Sequence, residues 1–190
     1  ELPRLKPDLV IVSVFAGNDF GDLLRNKMYR VSGDGTLVRN EWKLDPAIAE
    51  MFRVSQRESI LVRTVRSTIG ARLRQPADGA ATNPQADAQG KPNWQFLLDE
   101  ADREYSSAVT RKDPIVTNTH VDYYSADLSL RPSSESARYK VRLMNAVLDR
   151  IESIAAASKT PILLMFIPHP ADLSDSYDWG KPDPKLYPEY

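Results

Sequence analysis

The chain has 190 residues, 42% of them hydrophobic, which suits a single α/β domain or a fragment of one over residues 1–190. Its 25 basic and 26 acidic residues are interspersed and leave a net charge of −1, so we expect no nucleic-acid partner. No apolar run approaches the ~20 residues that a membrane span needs, whereas the oligomeric state and the localisation stay open.

Cysteine is absent from the chain, which excludes disulfides, thiolate metal sites and a cysteine nucleophile. The two histidines are too few for a multi-histidine metal centre. The Asp and Glu spacings match no known carboxylate loop. We therefore expect neither a metal nor a cofactor.

An apolar run at residues 8–15 predicts the first strand, and its continuous Val, Ile and Leu content is typical of a buried parallel strand. A turn through Gly17, Asn18 and Asp19 follows and leads into a short helix at residues 19–25. Ligands in open α/β sheets bind beyond the carboxyl ends of such strands. The amide of Asn18 could donate to a developing oxyanion, where one donor supplies roughly 3 kcal/mol. The residues alone also permit a turn with no further role.

Residues 27–132 are interpreted as one large insertion between two core strands. It begins with a predicted hairpin at 27–43, whose turn is Gly33-Asp34-Gly35. A helix with five arginines is predicted at 55–74, where a solvent-exposed face is favoured over a binding surface. The polar, Pro-rich stretch at 75–92 predicts a mobile loop, and a helix follows at 94–109. Asp122-Tyr123-Tyr124 could form a substrate wall, or could pack beneath a loop.

The strongest helical pattern starts at Ser134 and ends near Lys159, and its apolar face is expected to pack on the sheet. A second apolar strand is predicted at residues 162–167. His169 follows that strand at its carboxyl end. It could either stiffen the Pro-His-Pro turn or contact a ligand.

Two segments resemble the SGNH (GDSL-type) hydrolases. Lys6-Pro7-Asp8-Leu9-Val10-Ile11 followed by Gly17-Asn18-Asp19 resembles the family's third conserved block, and residues 160–168 resemble its next strand. The resemblance implies a flavodoxin-like three-layer α/β/α fold with parallel strands, of which this chain would be the central portion.

By this resemblance, Asn18 is a catalytic residue that donates to the oxyanion, and we expect Gly17, Asp19, Phe20 and His169 to bind the substrate, a small-molecule ester. The family pattern gives His169 no general-base role. The nucleophilic Gly-Asp-Ser block and the Asp-x-x-His block have no counterpart in this sequence. We therefore expect an esterase whose 190-residue portion is inactive alone. The alternatives are an acyltransferase on the same fold and a non-catalytic α/β binding or accessory module.

Overall fold

A computed structural model describes residues 2–46, 49–50, 92–116, 124–169, 173 and 181–190 and has a mixed α/β fold with small open sheets. The helix predicted at 55–74 lies outside these residues, as does all of the predicted loop at 75–92 except Pro92. His120, Asp122 and Tyr123 also lie outside them.

The described elements follow one another along the chain as short strands and helices. The helices are α1 (Leu2–Leu5), α2 (Asp19–Arg25), α3 (Trp94–Tyr105), α4 (Ala126–Leu130) and α5 (Glu135–Ala157), and a π-helix at Ser106–Thr110 continues α3. The strands are β1 (Val10–Phe15), β2 (Tyr29–Val31), β3 (Leu37–Arg39), β4 (Lys43–Leu44), β5 (Ile115–Val116) and β6 (Ile162–Ile167). In the described part of the chain, no helix has the length and apolarity needed to cross a membrane.

The two predicted core strands are neighbours. β1 and β6 pair in parallel, with Val10 opposite Ile162 and Phe15 opposite Ile167. β6 has its predicted bounds, and β1 begins at Val10 rather than at Asp8. Since the paired strands end level, the loops that follow Phe15 and Ile167 leave the sheet at the same edge.

Both faces of β6 are open to solvent over much of the strand. Leu163, Met165 and Ile167 are more than 40% exposed, and so are Leu164 and Phe166, which alternate with them along the strand. Successive strand residues point to opposite faces, and a strand that is apolar on both faces is typical of the interior of a covered parallel sheet. β6 therefore has the composition of an interior strand although its side chains are exposed.

The long helix α5 starts at Ser134, whose Oγ accepts the N–H of Ala137 at 3.2 Å. Its closest contacts are with α2 and the β2–β3 hairpin, through a cluster that includes Leu24, Tyr139 and Leu143. The apolar face of α5 thus packs mainly on α2 and the hairpin rather than on the β1–β6 sheet.

The predicted hairpin is confirmed. β2 and β3 pair antiparallel, with Tyr29 opposite Arg39, and the turn between them contains Gly35 at a φ of +88°. Such a left-handed angle carries no steric cost for glycine. Val31 and Leu37 pack against the Tyr139 cluster and thereby fix the hairpin on α5.

A second small core joins α3 and α4. Its buried members are Leu97, Leu98, Ala126 and Leu130. Tyr187, in the described segment 181–190, packs against this core. The short strands β4 and β5, which are far apart in sequence, pair in parallel, with Lys43 opposite Ile115.

Candidate functional site

The turn after β1 is held by its own acidic residue. The sheet ends with the N–H of Ala16 donating to the carbonyl of Ile167 at 2.9 Å. One carboxylate oxygen of Asp19 then accepts the N–H of Phe15 at 2.6 Å. A carboxylate acceptor makes such a bond stronger than a neutral one. Asp19 therefore closes the turn, whatever else it contacts.

Asn18 is the N-cap residue of α2, with φ −141° and ψ −25°, and its side chain makes no cap hydrogen bond. Its carbonyl accepts the N–H of Asp22 at 2.8 Å, so the backbone of Asn18 belongs to the first helical turn. By contrast, the side chains of Asn93 and Ser134 do cap the helices that follow them. The amide of Asn18 is thus not used in the most common structural role of an asparagine at this position.

His169 lies directly against the turn, and it is only 8% exposed. Its ring centroid is 5.8 Å from that of Phe15 and 4.6 Å from that of Tyr124. A Cβ at Gly17 would lie 2.7 Å from Cε1 of Phe15 and 2.8 Å from Cδ2 of His169, closer than carbon atoms approach in proteins. Residue 17 therefore has to be glycine if both rings keep their places.

The start of α4 completes the surroundings of the turn. The N–H of Ser125 donates to the carbonyl of Gly17 at 2.7 Å. Tyr124, the preceding residue, packs at a tilt against His169 and contacts Trp94 edge-on at 6.1 Å. Its hydroxyl lies 3.0 Å from Oγ of Ser129. The substrate-wall role that the sequence left open for Tyr124 stays a prediction. The contribution of Ser125 could not be predicted, because a backbone donor leaves no sequence signal.

Phe20 lies in the first turn of α2 and is partly buried. Its neighbour Gly21 is buried, and a Cβ there would come within 3.0 Å of Oγ of Ser125 and of the guanidinium of Arg25. The structure thus brings Gly17, Asn18, Asp19 and His169 together at one edge of the sheet, with Phe20 on the adjoining helix.

A charge cluster connects α2 to α3. The buried guanidinium of Arg25 contacts Asp22 at 2.6 Å and Glu104 at 3.2 Å. Burial raises the pKa of Glu104, although Arg25 opposes the rise. Burial alone would lower the pKa of Arg25, but Glu104 and Asp22 outweigh it and raise that pKa. A raised pKa favours the charged form of Arg25 but disfavours the charged form of Glu104. For Arg25 the two carboxylates outweigh burial, whereas for Glu104 burial outweighs the attraction of Arg25 and Lys140.

The described residues around this turn do not provide a complete set of groups for bond cleavage. Ser125 is buried, and among the described residues its Oγ has no hydrogen-bond partner and no base beside it. Among the described residues, no group of three or more His, Asp and Glu side chains could hold a metal ion. A surface depression of about 530 Å³ is lined by Arg39, Asn40, Glu41 and Trp42, and none of these belongs to the turn after β1.

No protein-family model, no curated protein and no solved structure matches this chain.

Proposed function

We propose that this chain is the central portion of a serine ester hydrolase with a flavodoxin-like three-layer fold, in which Asn18 donates its side-chain amide to the oxyanion of the tetrahedral intermediate. The observation that carries the proposal is that Asp19 and Asn18 have different roles in the turn after β1. Asp19 closes the turn on Phe15, and the Asn18 side chain does not cap α2. Ligands of open α/β sheets bind at the carboxyl ends of parallel strands, so Asn18 lies where an oxyanion donor is expected.

The geometry of the sheet supports the fold part of the proposal. β1 and β6 are parallel and level, and the apolar side chains of β6 are exposed on both faces. In a doubly wound sheet such strands lie in the interior, with helices on both faces and further strands beside them. The exposed β6 side chains would be covered by those elements.

In the proposed reaction, a serine from another segment attacks the ester carbonyl carbon, and the carbonyl π electrons move to its oxygen. A base accepts the serine proton and returns it to the departing alkoxide. The remaining acyl-enzyme is then hydrolysed by water. Asn18 stabilises the oxyanion formed in each half-reaction. His169 is not assigned as that base. Its ring packs at a tilt against Phe15 and Tyr124, and its Cδ2 edge faces Gly17. It forms the wall behind the turn.

An acyltransferase would use the same donor, with an alcohol in place of the water. A non-catalytic ligand-binding module is the second candidate, and one observation favours it. In the part of the chain that the structure describes, the buried hydroxyl of Ser125 has no hydrogen-bond partner and so forms no nucleophile–base pair with His169. This candidate needs no residue beyond those of the chain.

The test compares the 190-residue chain with the product of its complete natural reading frame, using p-nitrophenyl acetate. The hydrolase proposal predicts no turnover by the 190-residue chain and measurable turnover by the complete product. A reading frame without an additional Gly-Asp-Ser block and Asp-x-x-His block would overturn the proposal and favour the binding module. Turnover by the 190-residue chain alone would show that the nucleophile has been misassigned.

A further inference from the structure

A buried ion pair lies beneath the turn after β1. Nζ of Lys140 on α5 donates to Oδ1 of Asp127 on α4 at 2.7 Å, and the two side chains are 1% and 0% exposed. Oγ of Ser136, also buried, donates to the other carboxylate oxygen of Asp127 at 2.7 Å. Both oxygens of Asp127 are therefore hydrogen-bonded to α5.

Joining two helices by a buried ion pair carries a large desolvation penalty. Desolvating two charges often costs more than their attraction returns, and well-packed apolar residues in their place can be equally stable or more so. A buried charge pair fixes direction and distance, however, which apolar contacts do less strictly. The Lys140–Asp127 pair thus defines the position of α4 relative to α5.

The position of α4 reaches the turn through two contacts. Ser125, two residues before Asp127, donates its N–H to the carbonyl of Gly17 at 2.7 Å. The ring of Tyr124 packs at a tilt against His169, and His169 lies against Gly17. Asn18 is the next residue, so a shift of α4 moves the backbone from which its amide projects.

We propose that Asp127, together with Lys140 and Ser136, is a positioning unit that sets the direction of the Asn18 amide. The inference rests on the proposed function for its catalytic consequence, and on the described contacts alone for its structural part. Asp127 touches no reacting atom. It acts through α4, the Ser125 N–H and the Gly17 carbonyl.

The structural part is tested by NMR on the ¹⁵N-labelled 190-residue chain. The Asn18 side-chain NH₂ signal is identified by its loss in Asn18→Ala. Asp127→Leu/Lys140→Met replaces both charges by apolar groups. Ser136→Ala provides a milder second variant, because it removes only the hydroxyl that contacts Asp127 and, at 3.3 Å, the carbonyl of Ala101. Glu100→Gln is the matched control, because it alters an ion pair with Arg103, whose side chain is largely exposed, on α3.

We expect the Asn18 signal to shift or broaden in the double variant and, less strongly, in Ser136→Ala, while Glu100→Gln leaves it unchanged. An unchanged signal in the folded double variant would overturn the positioning role. If the double variant does not fold, an unchanged signal in Ser136→Ala would overturn it.

The catalytic part uses the complete natural product carrying the same variants. Because a displacement of about 1 Å can cost up to ~10²-fold in rate, the double variant should lose about 10- to 100-fold in kcat with KM unchanged. A merely structural pair would change the melting temperature and leave kcat of the folded enzyme intact. If the unmodified product has no esterase activity, the proposed function fails while the NMR result still decides the positioning role.

Discussion

The carboxylate of Asp19 accepts the backbone N–H of Phe15 across the turn that ends β1, at 2.6 Å. This bond joins the last residue of the strand to the first residue of α2 and encloses Gly17 and Asn18 between its ends. It satisfies an N–H at the end of the strand. Asp19 therefore helps to fix the turn that carries Asn18.

Asp19→Ala should destabilise the chain by about 1–3 kcal/mol, because a partly buried N–H loses a charged acceptor. Urea unfolding followed by tryptophan fluorescence measures the change. Asp8→Ala is the control, since Asp8 is exposed and precedes β1, and it should change stability by less than ~0.5 kcal/mol. If both substitutions lowered the stability equally, Asp19 would not stabilise the turn as described.

Gly17→Ala should cost about 1–3 kcal/mol, because its methyl group would overlap the rings of Phe15 and His169. Gly33→Ala is a close control, since a Cβ at Gly33 would meet no atom within 4 Å. We expect the midpoint of urea unfolding to fall for the first variant and to stay nearly constant for the second. A neutral Gly17→Ala would mean that His169 is not packed against the turn.

The uncovered strand β6 should make the 190-residue chain self-associate. Phe166, which is 56% exposed, lies among other exposed apolar residues of the strand, and Phe166→Glu should lower the concentration-dependent mass in light scattering. Leu186→Glu is the control, because Leu186 is 71% exposed but belongs to the tail. Self-association that responds equally to both changes, or to neither, would exclude β6 as its source.

The contact between Glu189, in the C-terminal segment 181–190, and Ser133 should break in acid. Glu189 accepts the hydroxyl of Ser133 at 2.6 Å and its N–H at 3.0 Å. Both bonds lower the pKa of Glu189 below its ordinary value of 4.5, and the bond from the hydroxyl has the larger effect. A lowered folded-state pKa means that the stabilisation is complete above pH 4.5 and is lost as the pH falls through the lowered value.

The ¹⁵N–¹H signal of Ser133, followed during an acid titration, reports this contact. Its midpoint should lie below 4.5, and Glu189→Gln should abolish the transition. Glu152→Gln, at an exposed position on α5, should leave it in place. A midpoint at or above 4.5 in the unmodified chain would contradict the contact.

Local sequence pattern was sufficient for β1, β6, α2 and the β2–β3 hairpin. Their apolar runs and turn residues act over a few positions, so neighbouring residues carry the whole signal. Asn18 and His169 were placed at one sheet edge from the same patterns, because parallel strands share their carboxyl ends. The catalytic and substrate-binding roles of these residues stay predictions.

The support of the site could not be predicted in the same way. Lys140 appears in the sequence as an ordinary polar residue of a long helix, and its burial depends on Asp127, which lies on the separate short helix α4. α4 itself has five residues, including Asp127 and Ser129, and too little apolar periodicity to be recognised. Partners brought together only by tertiary packing leave no local pattern.

The kinetics of Asn18→Ala in the product of the complete natural reading frame test the central claim most directly, with Asn26→Ala at the exposed end of α2 as the matched control. The account predicts that kcat for p-nitrophenyl acetate falls about 10²- to 10³-fold for Asn18→Ala while KM stays nearly constant, because the amide acts only on the oxyanion. Asn26→Ala should retain both constants. An unchanged kcat, or a loss confined to KM, would contradict the role of Asn18 as the oxyanion donor.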